Sequence, residues 1–161
     1  MLRRTCLSTD GQICFGVAFD EGHEFPWDDE KYSADLEDWW IEKIQGYKRP
    51  FEMFTEAGEW IGGKEWPQEK KDEYYNHKEK FVKKAPKLPV TLVNYCSGDC
   101  PMYILAVPSS YKNNNRGYAE EFDPQKLTVT PEEVAALLAF INEYVDKKKH
   151  SPKWLLTSFW G

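Results

Sequence analysis

Residues 90–107 read Val-Thr-Leu-Val-Asn-Tyr-Cys-Ser-Gly-Asp-Cys-Pro-Met-Tyr-Ile-Leu-Ala-Val and contain the two most apolar predicted strands of the chain. Runs rich in β-branched, aromatic and aliphatic residues on either side of a Gly-Asp turn are typical of paired strands. The sequence therefore predicts two central strands, residues 90–95 and 102–107, joined by the segment from Cys96 to Pro101.

A helix is predicted on the C-terminal side of this hairpin. Thr130 is placed as its N-cap, Pro131 as its first residue, and Glu133 completes a capping box. Apolar residues recur at helical spacing from Val134 to Val145, and Lys147–Lys149 close the helix.

Two further segments flank this helix. Residues 109–117 contain three consecutive asparagines and are expected to form a polar loop. Residues 154–160 (Trp-Leu-Leu-Thr-Ser-Phe-Trp) are too apolar for a free chain end, so we expect this tail to dock on the sheet or on a partner.

The N-terminal part predicts a hairpin and a helix. Two apolar-rich runs between Leu2 and Phe19 flank Thr9-Asp10-Gly11, and Asp-Gly is a strong turn signal. A helix is predicted from a cap at Ser33 to about Gln45, with Gly46 just beyond its end.

The middle of the chain predicts a weaker hairpin over residues 51–61 and a charge-rich surface helix from Pro67 to about Lys84. Because most strands are joined as hairpins, the alternation favours an α+β fold over a doubly wound one. We therefore predict a single α+β domain over residues 1–161, with a mostly antiparallel sheet and about three packed helices.

Acidic residues are concentrated in one segment. Residues 20–38 hold nine acids against Lys31 alone, a net charge of −8 in a chain of −6, so the remaining 142 residues carry +2. Aromatic side chains are interleaved with these acids. Blocks of one sign are often interaction surfaces, and aromatic residues supply contact area.

Composition excludes some classes of protein. The negative net charge argues against a protein that binds nucleic acid through phosphate contacts, which need clustered Lys and Arg. No apolar run reaches the length of a membrane-spanning helix, and the first residues lack a signal-peptide apolar region, so we expect a cytoplasmic protein without membrane contact. Four cysteines in a reducing compartment are then expected to be thiols or ligands.

Three functional interpretations of the acidic aromatic loop, residues 20–30, compete with a solvated loop whose aromatic side chains turn inward. Carboxylates at this density suit a hard cation, although the spacing differs from an EF-hand. His23 with Glu21 or Glu24 suits general base catalysis. The third interpretation is a recognition surface for a basic macromolecule, which we expect to be a protein. Its predicted binding residues are Phe25, Trp27, Asp28, Asp29, Glu30 and Trp39.

Cys96 and Cys100 are the other chemical candidates. Two thiols four residues apart at a turn could bind zinc or form a disulfide under oxidation. The alternative is that both cysteines are small buried hydrophobic residues. His77 and His150 have no partner at metal-ligand spacing and are predicted to lie at the surface. Gly62-Gly63-Lys64 matches neither a P-loop nor a dinucleotide-binding fingerprint. We therefore predict no cofactor and no catalytic residue.

The C-terminal half, through residues 101–108, 117–124 and 127–134, resembles small uncharacterised proteins of tailed phages and prophages over residues 95–145. The resemblance includes no catalytic signature. It implies a host-takeover or anti-defence factor, a class that includes inhibitors imitating nucleic acid.

These observations favour a non-catalytic protein-binding module that acts through its acidic aromatic surface, with charge steering the association. One alternative is a small enzyme or nucleotide-binding protein with a pocket lined by Trp and Tyr. Another is a structural or assembly subunit that uses the apolar tail after Pro152 as an oligomer contact.

Overall fold

The computed structural model describes residues 9–28, 35–49, 67–97, 100–114, 121 and 123–160. Within these ranges the strands are β1 (Thr9–Ala18), β2 (Thr91–Ser97), β3 (Pro101–Ala106), β4 (Lys112–Asn114) and β5 (Lys153–Trp160). The helices are α1 (Leu36–Trp39), α2 (Gln68–Val82) and α3 (Pro131–Phe140). Helices α1 and α3 each continue into a π-helical turn, at Trp40–Ile44 and Ile141–Val145.

The chain divides into two compact units. Residues 1–26 and 89–161 form the first, and residues 27–88 form the second. All five strands and α3 belong to the first unit, whereas α1 and α2 belong to the second. The single domain over residues 1–161 stays a prediction, because a unit inserted in another can still fold cooperatively with it.

The five strands form one mixed sheet with the order β3-β2-β5-β1-β4. Strands β1 and β5 are antiparallel from Thr9–Trp160 to Gly16–Lys153, and β2 and β3 form an antiparallel hairpin. Strand β2 meets β5 in parallel at Cys96–Phe159. Because β3 also pairs with the end of β1, the sheet closes on itself. The α+β fold and the mostly antiparallel pairing are confirmed, with one parallel contact.

The inside of the closed sheet holds a small apolar core. Cys14, Val93, Ile104 and Ala106 are 0–3% exposed and pack together. Gly16 lies where β1 crosses onto β3, and a Cβ there would come within 2.4 Å of the Leu105 carbonyl oxygen. A glycine is therefore required for this approach of two backbones.

Several sequence predictions are confirmed around this core. The two predicted central strands pair as β2 and β3, and the tail docks on the sheet as β5, between β1 and β2. Helix α3 begins at Pro131, and Thr130 and Glu133 make both bonds of the capping box. Its buried residues are Leu137 and Phe140, followed by Ile141 in the π-helical turn.

Two local predictions are wrong. Residues 9–11 do not form a turn but lie inside β1, because each pairs with a residue of β5, Gly11 with Ser158. Lys112–Asn114 is a strand rather than loop, because it pairs with Gly11–Ile13. In both cases long-range pairing prevails over local turn preference.

The second unit is built on α1 and α2. Helix α1 begins at Leu36, and its cap is Asp35, whose side chain accepts a hydrogen bond from the Asp38 backbone. The proposed cap at Ser33 and the hairpin over residues 51–61 lie outside the described residues. Tyr47 contacts the Phe81 ring at 5.0 Å, and burial raises the pKa of Tyr47 to about 12.

Candidate functional site

The outer face of the β1–β5 pair carries apolar side chains. Ile13 lies opposite Leu156 in the antiparallel register, so these two side chains share a face. The next pair, Cys14 and Leu155, points the other way, where Cys14 belongs to the core and Leu155 packs against it. Ile13 and Leu156 therefore lie on the outside of the closed sheet.

This outer face continues with an aromatic pair. Phe15 lies opposite Trp154, and their rings meet edge to face with centroids 5.5 Å apart. Leu156 is 80% exposed, the largest exposed fraction among the large apolar side chains that the structure describes. An exposed leucine beside three partly buried apolar neighbours makes a contiguous patch, and such patches mark interaction sites.

An open groove with a volume of about 810 Å³ lies against this face. Its apolar lining comes from Ile13, Leu127, Leu156 and Pro124. The rest of the lining comes from strands β1 and β4 and from the chain just before α3, through Gly11, Gln12, Lys112, Asn113, Asn114, Glu121, Asp123 and Lys126. This volume lies within the usual range of roughly 300–1,000 Å³ for ligand sites.

Among the residues that the structure describes, the charged side chains of the groove balance each other. Lys112 and Lys126 contribute two positive charges, and Glu121 and Asp123 contribute two negative ones. The Lys126 Nζ atom lies 3.9 Å from Asp123 Oδ2, and both side chains are largely exposed. Water screens such a pair, so the groove offers mainly apolar contact and hydrogen bonds.

One side-chain amide of the groove, that of Asn114, has a buried oxygen atom. Asn114 pairs with Gly11 in the β1–β4 register, and its Oδ1 atom is buried without a hydrogen-bond partner among the described residues. Opposite it, a Cβ added to Gly11 would meet no atom within 4 Å.

The aromatic residues of the acidic segment do not lie at the surface. Phe25 is 5% exposed, Trp27 0% and Trp39 5%. Phe25 packs edge to face on Phe19, with centroids 5.1 Å apart, and Trp27 contacts Trp39 at 5.5 Å. The prediction that these rings are exposed anchors is therefore wrong, because burying them stabilises each unit more than hydrating them.

The acids of the same segment behave differently. Asp20, Glu21, Glu24 and Asp28 are exposed, as expected of charged side chains. Asp38 instead forms an ion pair with Lys78 of α2. Two predicted binding residues, at positions 29 and 30, lie outside the described residues.

The histidine arrangement does not match the predicted general base. The His23 ring lies between Phe19 and Phe25, with centroids 4.6 Å from each. Its Nε2 atom is buried and has no hydrogen-bond partner in the described part of the chain, so neither Glu21 nor Glu24 orients it. The His150 ring also packs on Phe19, with ring centroids 5.7 Å apart. The His150 side chain is 17% exposed, so it does not lie at the surface as the sequence predicted.

The two hairpin cysteines are free thiols near a carboxylate. The Cys100 thiol donates to Glu21 Oε1 at 3.0 Å, and this bond raises the pKa of the thiol. Cys96 has a φ of +78°, in the left-handed region that favours glycine. No group of three or more His, Cys, Asp or Glu residues is placed to hold a metal ion in the ranges that the structure describes.

Sequence reasoning missed the groove. Both alternating sets of the tail are apolar, Trp154 and Leu156 on one face and Leu155 and Phe159 on the other. This pattern predicted docking but did not reveal that the face with Leu156 stays open. The apolar character of both faces of the tail was the one indication of the groove in the sequence. A strand that is apolar on both faces needs other apolar groups to cover each face.

Comparison with known proteins leaves the site without a relative: no protein-family model, no curated protein and no solved structure matches this chain significantly. Among the helices that the structure describes, none combines the length and the apolar character needed to cross a membrane.

Proposed function

We propose that the protein is a non-catalytic binding module that engages a partner protein through the groove beside Leu156. The observation that supports this proposal is the 80% exposure of a leucine in the middle of a strand, at the edge of an 810 Å³ groove. Removing one leucine side chain from water is worth about 1.5–3 kcal/mol, which makes it an effective contact for a partner.

The lining favours a polypeptide over a planar small molecule. In the described part of the chain, the apolar lining of the groove is aliphatic, whereas a nucleobase is usually held by stacking on aromatic rings. It combines apolar side chains with the amides of Gln12, Asn113 and Asn114. A peptide presents the matching chemistry, an apolar side chain flanked by backbone N–H and C=O groups.

The exposed acids contribute to the choice of partner in this proposal. The chain carries a net charge of −6, and Asp20, Glu21 and Glu24 are exposed on the first unit. Long-range attraction then accelerates association with a basic partner and weakens as salt is added. In this proposal the groove supplies the contact and the acids supply the steering.

The test is selection of peptides from a random library on the immobilised protein. We expect the enriched peptides to share an apolar residue and to bind the isolated protein in fluorescence anisotropy. Leu156→Asp should weaken their binding at least tenfold, because a carboxylate replaces the apolar contact. Val82→Asp is the matched control, since Val82 is 47% exposed on α2 and is not among the residues that line the groove.

A second variant fills the groove without removing any contact. Gly11→Trp places an indole in open space, so the fold should persist while the peptide is excluded. Val82→Trp adds the same indole elsewhere. Circular dichroism checks that both variants fold. The proposed function is wrong if the selected peptides bind Leu156→Asp and Gly11→Trp as tightly as they bind the wild type, or if no peptide is enriched.

A further inference from the structure

Two glycines of β1 differ in what the fold requires of them. Gly16 is required because a Cβ there would lie 2.4 Å from the Leu105 carbonyl oxygen. Gly11 has no such neighbour, since an added Cβ would meet no atom within 4 Å. The φ angle of Gly11 also lies outside the left-handed region that favours glycine. Neither close packing nor backbone conformation therefore explains a glycine at position 11.

Gly11 lies in the floor of the groove. It is exposed and lies on the outer face of β1, the face that also carries Ile13. The antiparallel registers place it opposite Ser158 of β5 on one side and Asn114 of β4 on the other. Gly11 is thus the middle position of a row of three residues across the sheet, and its missing side chain leaves a gap in that row.

Aliphatic side chains border this gap. Ile13 is two positions along β1 and lies opposite Leu156, and both side chains are on the face of Gly11. Residues two apart in a strand are separated by about 7 Å, so this pair forms a ridge directly beside the gap. Pro124 and Leu127 contribute further apolar lining to the same groove. A side chain that enters the gap therefore meets mainly aliphatic groups.

A large flat side chain suits this gap better than a small one. A glycine inside a strand often marks a place where a ligand comes close to the backbone. A small side chain there would leave a void, and the atoms around a void lose their dispersion contacts. An aromatic ring buries about 150–250 Å², and a ring packed over a strand glycine supplies the contact area that the glycine lacks.

We propose that Gly11 determines the specificity of the groove, and that a partner peptide places an aromatic side chain over it. This inference rests on the proposed function and adds the class of side chain that the groove selects, namely Phe, Tyr or Trp. Because the ring occupies the space that a side chain at position 11 would fill, any larger residue at this position competes with it. Leu156 and Ile13 then contact the edge of the ring.

The first test compares peptide binding by variants of the full chain. Peptides are selected on the wild type, and their affinities are measured by fluorescence anisotropy. We expect the peptides to share an aromatic residue, and Gly11→Val to weaken their binding at least tenfold. Valine suits a strand, so the fold should persist, and circular dichroism checks it. Ser151→Val adds the same side chain at an exposed position of the same unit and should leave the affinity unchanged.

The second test locates the ring. The shared aromatic residue of a selected peptide is replaced by the photoreactive benzoylphenylalanine, and the irradiated complex is digested with trypsin. We expect the peptide to be attached to residues 5–31, the tryptic peptide that contains Gly11. Attachment confined to other tryptic peptides would overturn the proposed position of the ring.

The outcomes separate this inference from the proposed function. If no peptide is enriched, the proposed function is wrong and this inference falls with it. If the enriched peptides need Leu156 but share no aromatic residue, the groove binds peptides and only this inference is wrong. The same conclusion follows if peptides that share an aromatic residue bind Gly11→Val as tightly as they bind the wild type.

Discussion

The hydroxyl of Ser110 accepts a hydrogen bond from the backbone nitrogen of Phe15, at 2.9 Å. The same hydroxyl donates to the Val107 carbonyl at 2.6 Å. Strand β1 pairs with β4 at residues 11–13 and with β3 at residues 16–18, so Phe15 lies where one neighbouring strand ends and the next begins. Ser110, 3% exposed, supplies the hydrogen bond that neither strand provides.

Replacing this hydroxyl should destabilise the first unit. In Ser110→Ala the partly buried Phe15 N–H loses its acceptor, which costs about 1–3 kcal/mol of the free energy of unfolding. Urea denaturation measures the loss. Ser151→Ala is the matched control, because Ser151 is an exposed serine of the same unit and its substitution should change stability less. Equal stability of Ser110→Ala and wild type would show that Ser110 is dispensable at the junction.

The fold could be predicted from the sequence where the signal is local. The capping box of Thr130 and Glu133 lies within four residues, and both of its hydrogen bonds form. Asp10-Gly11 is an equally local turn signal, yet pairing with Phe159 and Ser158, more than 140 residues away, keeps the strand extended. Local rules do not contain the free energy of that long-range pairing, which prevails here.

The site was less accessible to prediction for the same reason. A sequence in which acids and aromatic residues are interleaved looks the same whether the rings are exposed or buried in the folded protein. Only the fold determines that Phe25 lies beside Phe19 and Trp27 beside Trp39. The exposure of Leu156 depends on what the rest of the chain leaves uncovered. Neither quantity is encoded in a short window of sequence.

Two glycines of β1 should respond in opposite ways to alanine. At Gly16 the new methyl group would lie 2.4 Å from the Leu105 oxygen and 2.8 Å from Ala106 Cα, both backbone atoms that cannot move aside easily. Gly16→Ala should therefore lower the free energy of unfolding by about 1–3 kcal/mol or more. At Gly11 the methyl group meets nothing within 4 Å, so Gly11→Ala should be neutral or stabilising by about 0.5–1 kcal/mol.

Thermal and urea denaturation of the two alanine variants measure this contrast. Their shared chemistry makes each the control of the other, since both add one methyl group to the same strand. If both variants were equally stable, the close approach of β1 to β3 at Gly16 would be wrong, and with it the closure of the sheet.

The capping box gives α3 a pH dependence. Ser109 donates to Glu133 Oε1 at 2.6 Å and the Thr130 N–H donates to Oε2 at 2.8 Å, and these bonds lower the pKa of Glu133. The unfolded chain thus binds a proton more readily than the folded one. The stabilisation by the carboxylate is complete above its unfolded pKa and is lost as pH falls through the lowered folded value.

Glu133→Gln removes this titration. The stability advantage of the wild type over Glu133→Gln should therefore shrink as pH falls from about 6 to about 3, in urea denaturation at each pH. Glu132→Gln is the matched control, because this exposed neighbour lies in the same first turn. An advantage that stays constant with pH would show that the carboxylate charge of Glu133 does not stabilise the helix.

The bond between Cys100 and Glu21 should set the reactivity of the thiol. The carboxylate accepts the thiol hydrogen and raises the pKa of Cys100, so Glu21→Gln should lower that pKa and increase the thiolate fraction at a given pH. In a Cys96→Ser background, the pH profile of Cys100 alkylation by iodoacetamide should then move to lower pH. Glu24→Gln removes an exposed acid from the same segment and should leave the profile in place. If Glu21→Gln left the midpoint unchanged, the thiol would not be bonded to this carboxylate in solution.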